Sequence, residues 1–167
     1  LQNLIKTVRN PGLRALLEAI FSGAVYDKFI MNPAGMRMHH AYIGGLLQHS
    51  VDVAGIAIAL AEQIGNVDKD LVVAGALLHD VGKLREISSQ IGFPYTNEGR
   101  LLGHIAMSVM MVQEAAAKLK LPQARLEQLQ HILLSHHGDN EKGSPVVCAT
   151  KEAFIVHYAD EIDAIMN

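Results

Sequence analysis

Histidines and aspartates placed where a helix must turn inward are the residues of this chain most able to do chemistry. His136 shows the pattern: it follows Leu133, Ile132 and Leu129 by three, four and seven residues and so extends their apolar stripe toward the interior. Asp160 continues the stripe of Ala153 and Val156, with Ala164 beyond it. A carboxylate buried there without a partner would be costly, and a divalent cation offsets that cost. Imidazoles and carboxylates together form the mixed N/O set that suits manganese, iron, nickel, cobalt or zinc.

Positioning such a set calls for rigid elements, and the spacing predicts helices almost throughout. Apolar residues recur every three or four positions, and the alternation of a strand never persists. We expect an all-α domain. A first helix covers about 4–29, with a break at Asn10-Pro11-Gly12, and Asn32-Pro33-Ala34-Gly35 makes a turn. A long helix from near His40 to Ile64 ends at Gly65 and Asn66. The run from Leu71 to Leu78 is apolar on every face, which predicts a helix buried on all sides that delivers His79 and Asp80 to the interior. Gly82 then allows the chain to reverse, and 88–99 reads as an irregular loop. Helices over about 100–119, 122–138 and 150–167 complete the chain, with Pro122 and Gly138 at the ends expected of them.

Composition narrows the class. At 167 residues the chain is expected to form one domain, 1–167, around a single core, and its start at Leu1 leads us to expect a piece of a longer protein. Every apolar run is interrupted before the roughly 18–20 residues needed to cross a bilayer. The sole cysteine, Cys148, cannot form an intrachain disulfide, and no secretory signal opens the chain, which points to the cytoplasm. Cys148 also has no base near it in sequence and is set aside as a nucleophile. A net charge of −3 gives no overall cationic field for nucleic acid, so any polyanion must be gripped locally.

The order of the polar residues is informative. His49 is followed thirty residues later by His79-Asp80, then Val81-Gly82-Lys83, and finally by Asp160 in His157-Tyr158-Ala159-Asp160. This resembles the signature of the HD superfamily of metal-dependent phosphohydrolases. His104 and the pair His136-His137 resemble the extra histidines of its two-metal members. The wording of His39-His40-Ala41-Tyr42-Ile43-Gly44-Gly45-Leu46-Leu47-Gln48-His49, of Glu98-Gly99-Arg100-Leu101-Leu102-Gly103-His104 and of Ser135-His136-His137-Gly138 is similar to the catalytic domain of YhaM-type 3′-to-5′ exoribonucleases. Those enzymes carry an N-terminal OB-fold, whereas nothing here reads as a β-barrel. A missing OB-fold domain is therefore an expected partner.

The resemblance implies an HD-domain helical bundle, with His49, His79, Asp80 and Asp160 on one cation. His104, His136 and His137 would hold a second, with Asp80 bridging, and manganese is the expected metal. Such a pair suits in-line displacement at phosphorus in a nucleotide or in single-stranded RNA. Lys83, four residues after His79, is placed to neutralise a phosphate oxygen. Arg100, one turn before His104 on the same face, is expected to reach the same substrate, and His40 to contact it or sit in a turn. Because imidazoles bind metal only when neutral, activity should fall below about pH 6.5. Asp163 competes with Asp160 for the last carboxylate position or makes a supporting contact, His157 orients Asp160 or lies at the surface, and His131 is expected in solvent. The rivals are a phosphomonoesterase or phosphodiesterase of small nucleotides and a non-catalytic nucleotide-sensing module. Oligomeric state has no signal in the sequence.

Overall fold

The breaks between helices fall where backbone chemistry requires them. The computed structural model describes residues 1–35, 42–88 and 92–167. The first stretch is three helices rather than one broken helix: α1 (Gln2–Thr7), α2 (Pro11–Ile20) and α3 (Gly23–Phe29). Pro11 takes the first position of α2, where its missing N–H is no loss, and the Asn10 side chain accepts the Leu13 N–H. Then α4 (Gly45–Ile64) starts at Gly45 instead of near His40, because the Gly45 N–H closes a turn onto the Tyr42 carbonyl. His40 itself lies outside the described residues.

The helix α5 (Lys69–Leu78) is the centre of the bundle. Asp68 caps it by accepting the N–H groups of Asp70 and Leu71, and all residues from Leu71 to Leu78 are buried. The short α6 (Lys83–Glu86) follows, then α7 (Asn97–Leu119), α8 (Gln123–Ser135) and α9 (Lys151–Met166). The segment read as a loop over 88–99 ends earlier, since Thr96 caps α7 by accepting the Gly99 N–H, and one antiparallel bridge joins Ile87 to Tyr95. No longer strand occurs among the described residues, so the architecture is an all-α helical bundle.

Around α5 stand α4, α8 and α9, with α1 and α2 closing a further side. Leu46 from α4, Leu77 and Leu78 from α5, and Leu129, Ile132 and Leu133 from α8 are fully buried between them. Burying one such side chain is worth about 1.5–3 kcal/mol. The apolar contacts end at the C-terminal end of α5, where α4, α8 and α9 also bring their polar residues inward. No helix among the described residues is long and apolar enough to cross a membrane.

Candidate metal centre

Five elements deliver the polar cluster. His49 comes from the start of α4, His79 and Asp80 directly follow α5, His104 lies in α7, His136 and His137 follow α8, and Asp160 is on α9. Each imidazole is held from behind. Nδ1 of His79 faces the Ala76 carbonyl at 2.7 Å, that of His136 the Leu133 carbonyl at 2.7 Å, and that of His137 the Lys142 carbonyl at 2.9 Å. Nδ1 of His49 meets Asp163 Oδ2 at 2.7 Å, and Nδ1 of His104 meets Glu86 Oε1 at 3.3 Å. Every one of these oxygens can only accept, so each Nδ1 donates its proton and each Nε2 points forward.

The forward nitrogens converge on Asp80. Its Oδ2 lies 3.4 Å from Nε2 of both His49 and His79, and its Oδ1 lies 3.4 Å from His104 Nε2 and 3.8 Å from His136 Nε2. Asp160 Oδ1 completes the first group at 3.2 Å from His49 Nε2 and 3.7 Å from His79 Nε2, and the two nitrogens are 3.1 Å apart. With bonds of about 2.1 Å and angles of about 90–110°, ligands around one cation lie roughly 3.0–3.4 Å from each other. The first group has nearly that spacing. The ligand atoms of His104, His136 and His137 lie within 4.8 Å of one another and form a second, looser group.

Whether these residues suit a cation is decided by what they lack. Asp80 Oδ1, His104 Nε2 and His136 Nε2 are buried without a hydrogen-bond partner among the described residues. Three buried lone-pair donors facing one another cost several kcal/mol unless a positive charge stands between them. The N/O donor set is that of a borderline transition metal, so the residues fit a divalent ion.

Electrostatics point the same way. Burial would raise the Asp80 carboxyl, but Lys83 and the surrounding imidazoles hold it well below the usual carboxylate range. Asp160 is likewise held low against the effect of burial, chiefly by His49. Burial pushes His136 well below its ordinary value, aided by His79 and His137, and lowers His137 too. For His49 burial is overcome by Asp160, Asp163 and Asp80, which push it up to about 11. A proton on its Nε2 thus stands where a cation would bind, and the two compete. His49, His136 and His137 accordingly share no single threshold near pH 6.5.

Several supporting residues were not singled out by the sequence, and others behave differently from expectation. Ser108 Oγ donates to the His79 carbonyl at 2.9 Å and accepts the Gly82 N–H at 2.8 Å, which pins the turn after His79-Asp80 onto α7. Gly82 has ordinary helical angles, φ −63° and ψ −22°, so it serves close approach rather than chain reversal: a Cβ there would lie 2.1 Å from the His104 carbonyl oxygen. His157 is neither exposed nor paired with Asp160 in the described contacts; it is buried and donates from Nδ1 to the His136 carbonyl at 2.8 Å. His131 is half-buried, its Nε2 accepting the Ala149 N–H at 2.9 Å. Cys148 is buried against the Ser135 carbonyl, and burial pushes its thiol up, away from reactivity.

The Asp163 carboxylate accepts from His49 with one oxygen and from the Asn167 side-chain amide with the other at 2.9 Å. Replacing it with alanine is expected to free the His49 ring and weaken cation binding about 10- to 100-fold, as measured by manganese titration calorimetry. Wild-type affinity in that variant would leave Asp163 as a helix-end contact alone.

The cations of the site differ in placement. Lys83 Nζ lies 2.6 Å from Asp80 Oδ2, and although burial lowers its pKa, Asp80, Asp160 and Glu86 raise it above the ordinary lysine value. Arg100 is exposed, and it does not lie one helical turn from His104, because Gly103 between them has φ 72° and ψ 157° and interrupts the helix. The substrate position expected for His40 falls outside the described residues.

A buried His-Asp pair flanked by histidines from neighbouring helices defines a class, the metal-dependent phosphohydrolases of HD type. The chain belongs to the HD domain family, whose model matches residues 46–165 and so takes in every one of these candidate ligands. The HDOD domain, a family of uncertain function, matches residues 2–89, a span that includes His49, His79 and Asp80. No solved structure matches the chain.

Proposed function

We propose that this protein is a two-metal phosphohydrolase, working in the cytoplasm with manganese, that removes nucleotides from the 3′ end of single-stranded RNA. The observation that carries the two-metal part is Asp80, whose two oxygens face two different groups of imidazoles. His49, His79, Asp80 and Asp160 would hold the first ion, and His104, His136 and His137 would hold the second, with Asp80 as the residue common to both. The RNA part is supported by the likeness of the segments around His49, His104 and His136 to the YhaM-type enzymes.

A pair of divalent ions, when bound, supplies Lewis acidity at phosphorus and makes water a nucleophile at neutral pH. The chain does the rest. Five imidazoles locked through Nδ1 present Nε2 without reorganisation, which keeps the site's charge pre-arranged for the transition state. Lys83 keeps its proton and offers it to a phosphoryl oxygen, and exposed Arg100, at the start of α7, takes the neighbouring phosphate of the strand as a bidentate donor. His40 is a further substrate contact.

The test is manganese-dependent release of nucleoside monophosphates from single-stranded RNA. Stepwise products from the 3′ end are expected. The net charge of −3 favours a second reading, hydrolysis of small nucleotides. Turnover of free mononucleotides or cyclic dinucleotides with intact RNA would replace the first reading by that one.

A further inference from the structure

The two halves of the centre are unequal in charge. His49 and His79 stand among the carboxylates of Asp80, Asp160 and Asp163. The other half has three imidazoles, of which His136 and His137 lean on backbone carbonyls, and among the described residues it faces Oδ1 of the shared Asp80. His104 differs from its two neighbours because it leans on a carboxylate, Glu86 at the end of α6.

Glu86 is buried and holds His104 twice. Its Oε1 accepts the His104 backbone N–H at 3.0 Å and lies 3.3 Å from His104 Nδ1. Gly103 makes the first contact available, since its φ of 72° and ψ of 157° stop the helical ladder one residue earlier. Glu86 itself is fixed through its backbone: its carbonyl accepts the Thr96 N–H at 2.9 Å, and Gly99 packs so close that a Cβ there would be 2.5 Å from the same oxygen. The carboxylate is therefore placed by α6 and the start of α7 together, and it sets the position, tautomer and basicity of one ring.

We propose that Glu86 is the positioning residue that sets the affinity of the second cation, while leaving the first unaffected. This rests on the two-metal reading above. It implies ordered loading, with the acidic half filling first and the three-histidine half filling at higher metal concentration.

Glu86→Gln separates this role from a purely structural one, because the amide keeps an oxygen for the His104 N–H and removes the charge. Manganese titration followed by electron paramagnetic resonance reads the two ions directly, with coupled pairs distinct from single ions. Wild type should bind two ions with unequal Kd. In Glu86→Gln the weaker Kd should rise about 10- to 100-fold with the tighter one unchanged, and the unfolding midpoint of the metal-free protein should stay near wild type. Two wild-type affinities in the variant would overturn the role of Glu86 and leave the two-metal reading standing. Equal weakening at both positions with a lowered midpoint would make Glu86 structural and overturn it too. A wild type that binds one ion only would overturn the two-metal reading and this inference with it.

Discussion

Asp80→Ala is expected to strip both ions from the purified protein and to lower hydrolysis at least about a thousandfold. Asp80 has an oxygen toward each group of imidazoles, so its loss reaches both positions where His49 or His136 would reach one. Truncation also leaves Lys83 without the carboxylate 2.6 Å away, and its ammonium, on a side chain 18 % exposed, must turn to Asp160, Glu86 or solvent. Asp80→Asn keeps the volume and one acceptor oxygen, so it should lose metal while disturbing the fold less. Elemental analysis beside a rate measurement checks both variants. If the wild type holds no transition metal and Asp80→Ala hydrolyses as fast as wild type, the enzyme reading fails.

Gly82→Ala is expected to be the most damaging single methyl in the site. The added Cβ would lie 2.1 Å from the His104 carbonyl oxygen and 2.6 Å from the Ser108 nitrogen, and both are backbone atoms that cannot rotate away. The turn after Asp80 and α7 would have to separate, at a cost of about 3 kcal/mol. For a domain of this size that corresponds to a fall of roughly 6–12 °C in Tm, read by thermal unfolding of the metal-free protein. Separation would also break the Ser108 contacts to His79 and Gly82, so metal affinity should fall alongside. A Tm within a degree of wild type would mean that α7 yields easily there, and that His104 is less firmly placed than its contacts suggest.

These two variants act on neighbouring residues through different physics. Asp80 acts through buried charge and Gly82 through van der Waals exclusion. The first should be rescued by no metal concentration. The second should regain some stability as metal is added, since a ligand that binds only the folded state shifts the equilibrium toward it.

Helix existence was legible because it depends on spacing within a few residues. The apolar run of α5, the inward stripe ending at His136 and the order from His49 through His79-Asp80 to Asp160 are all local or linear patterns, and the fold class follows from them. The caps at Asn10, Asp68, Thr96 and Thr150 are local too, each a side chain accepting an N–H two or three residues on. What misled was also local. The apolar spacing of α7 continues straight through Gly103, so the left-handed break that parts Arg100 from His104 leaves no mark in the periodicity. Phe21 and Ser22 similarly interrupt an apolar stretch that reads as continuous.

Only the assembled helices decide which atoms meet. Glu86 reaches His104 across 18 residues, Ser108 reaches His79 across 29, and Asp163 reaches His49 across 114. Such pairings depend on how α4, α6, α7 and α9 settle against α5, which no window of sequence contains. The residue types of the centre, its histidines and aspartates and their order, were determined by the sequence alone. That each Nδ1 is held from behind, and that Asp80 offers one oxygen to each group of imidazoles, was decided by tertiary structure, because an orientation exists only once the neighbour that enforces it is in place.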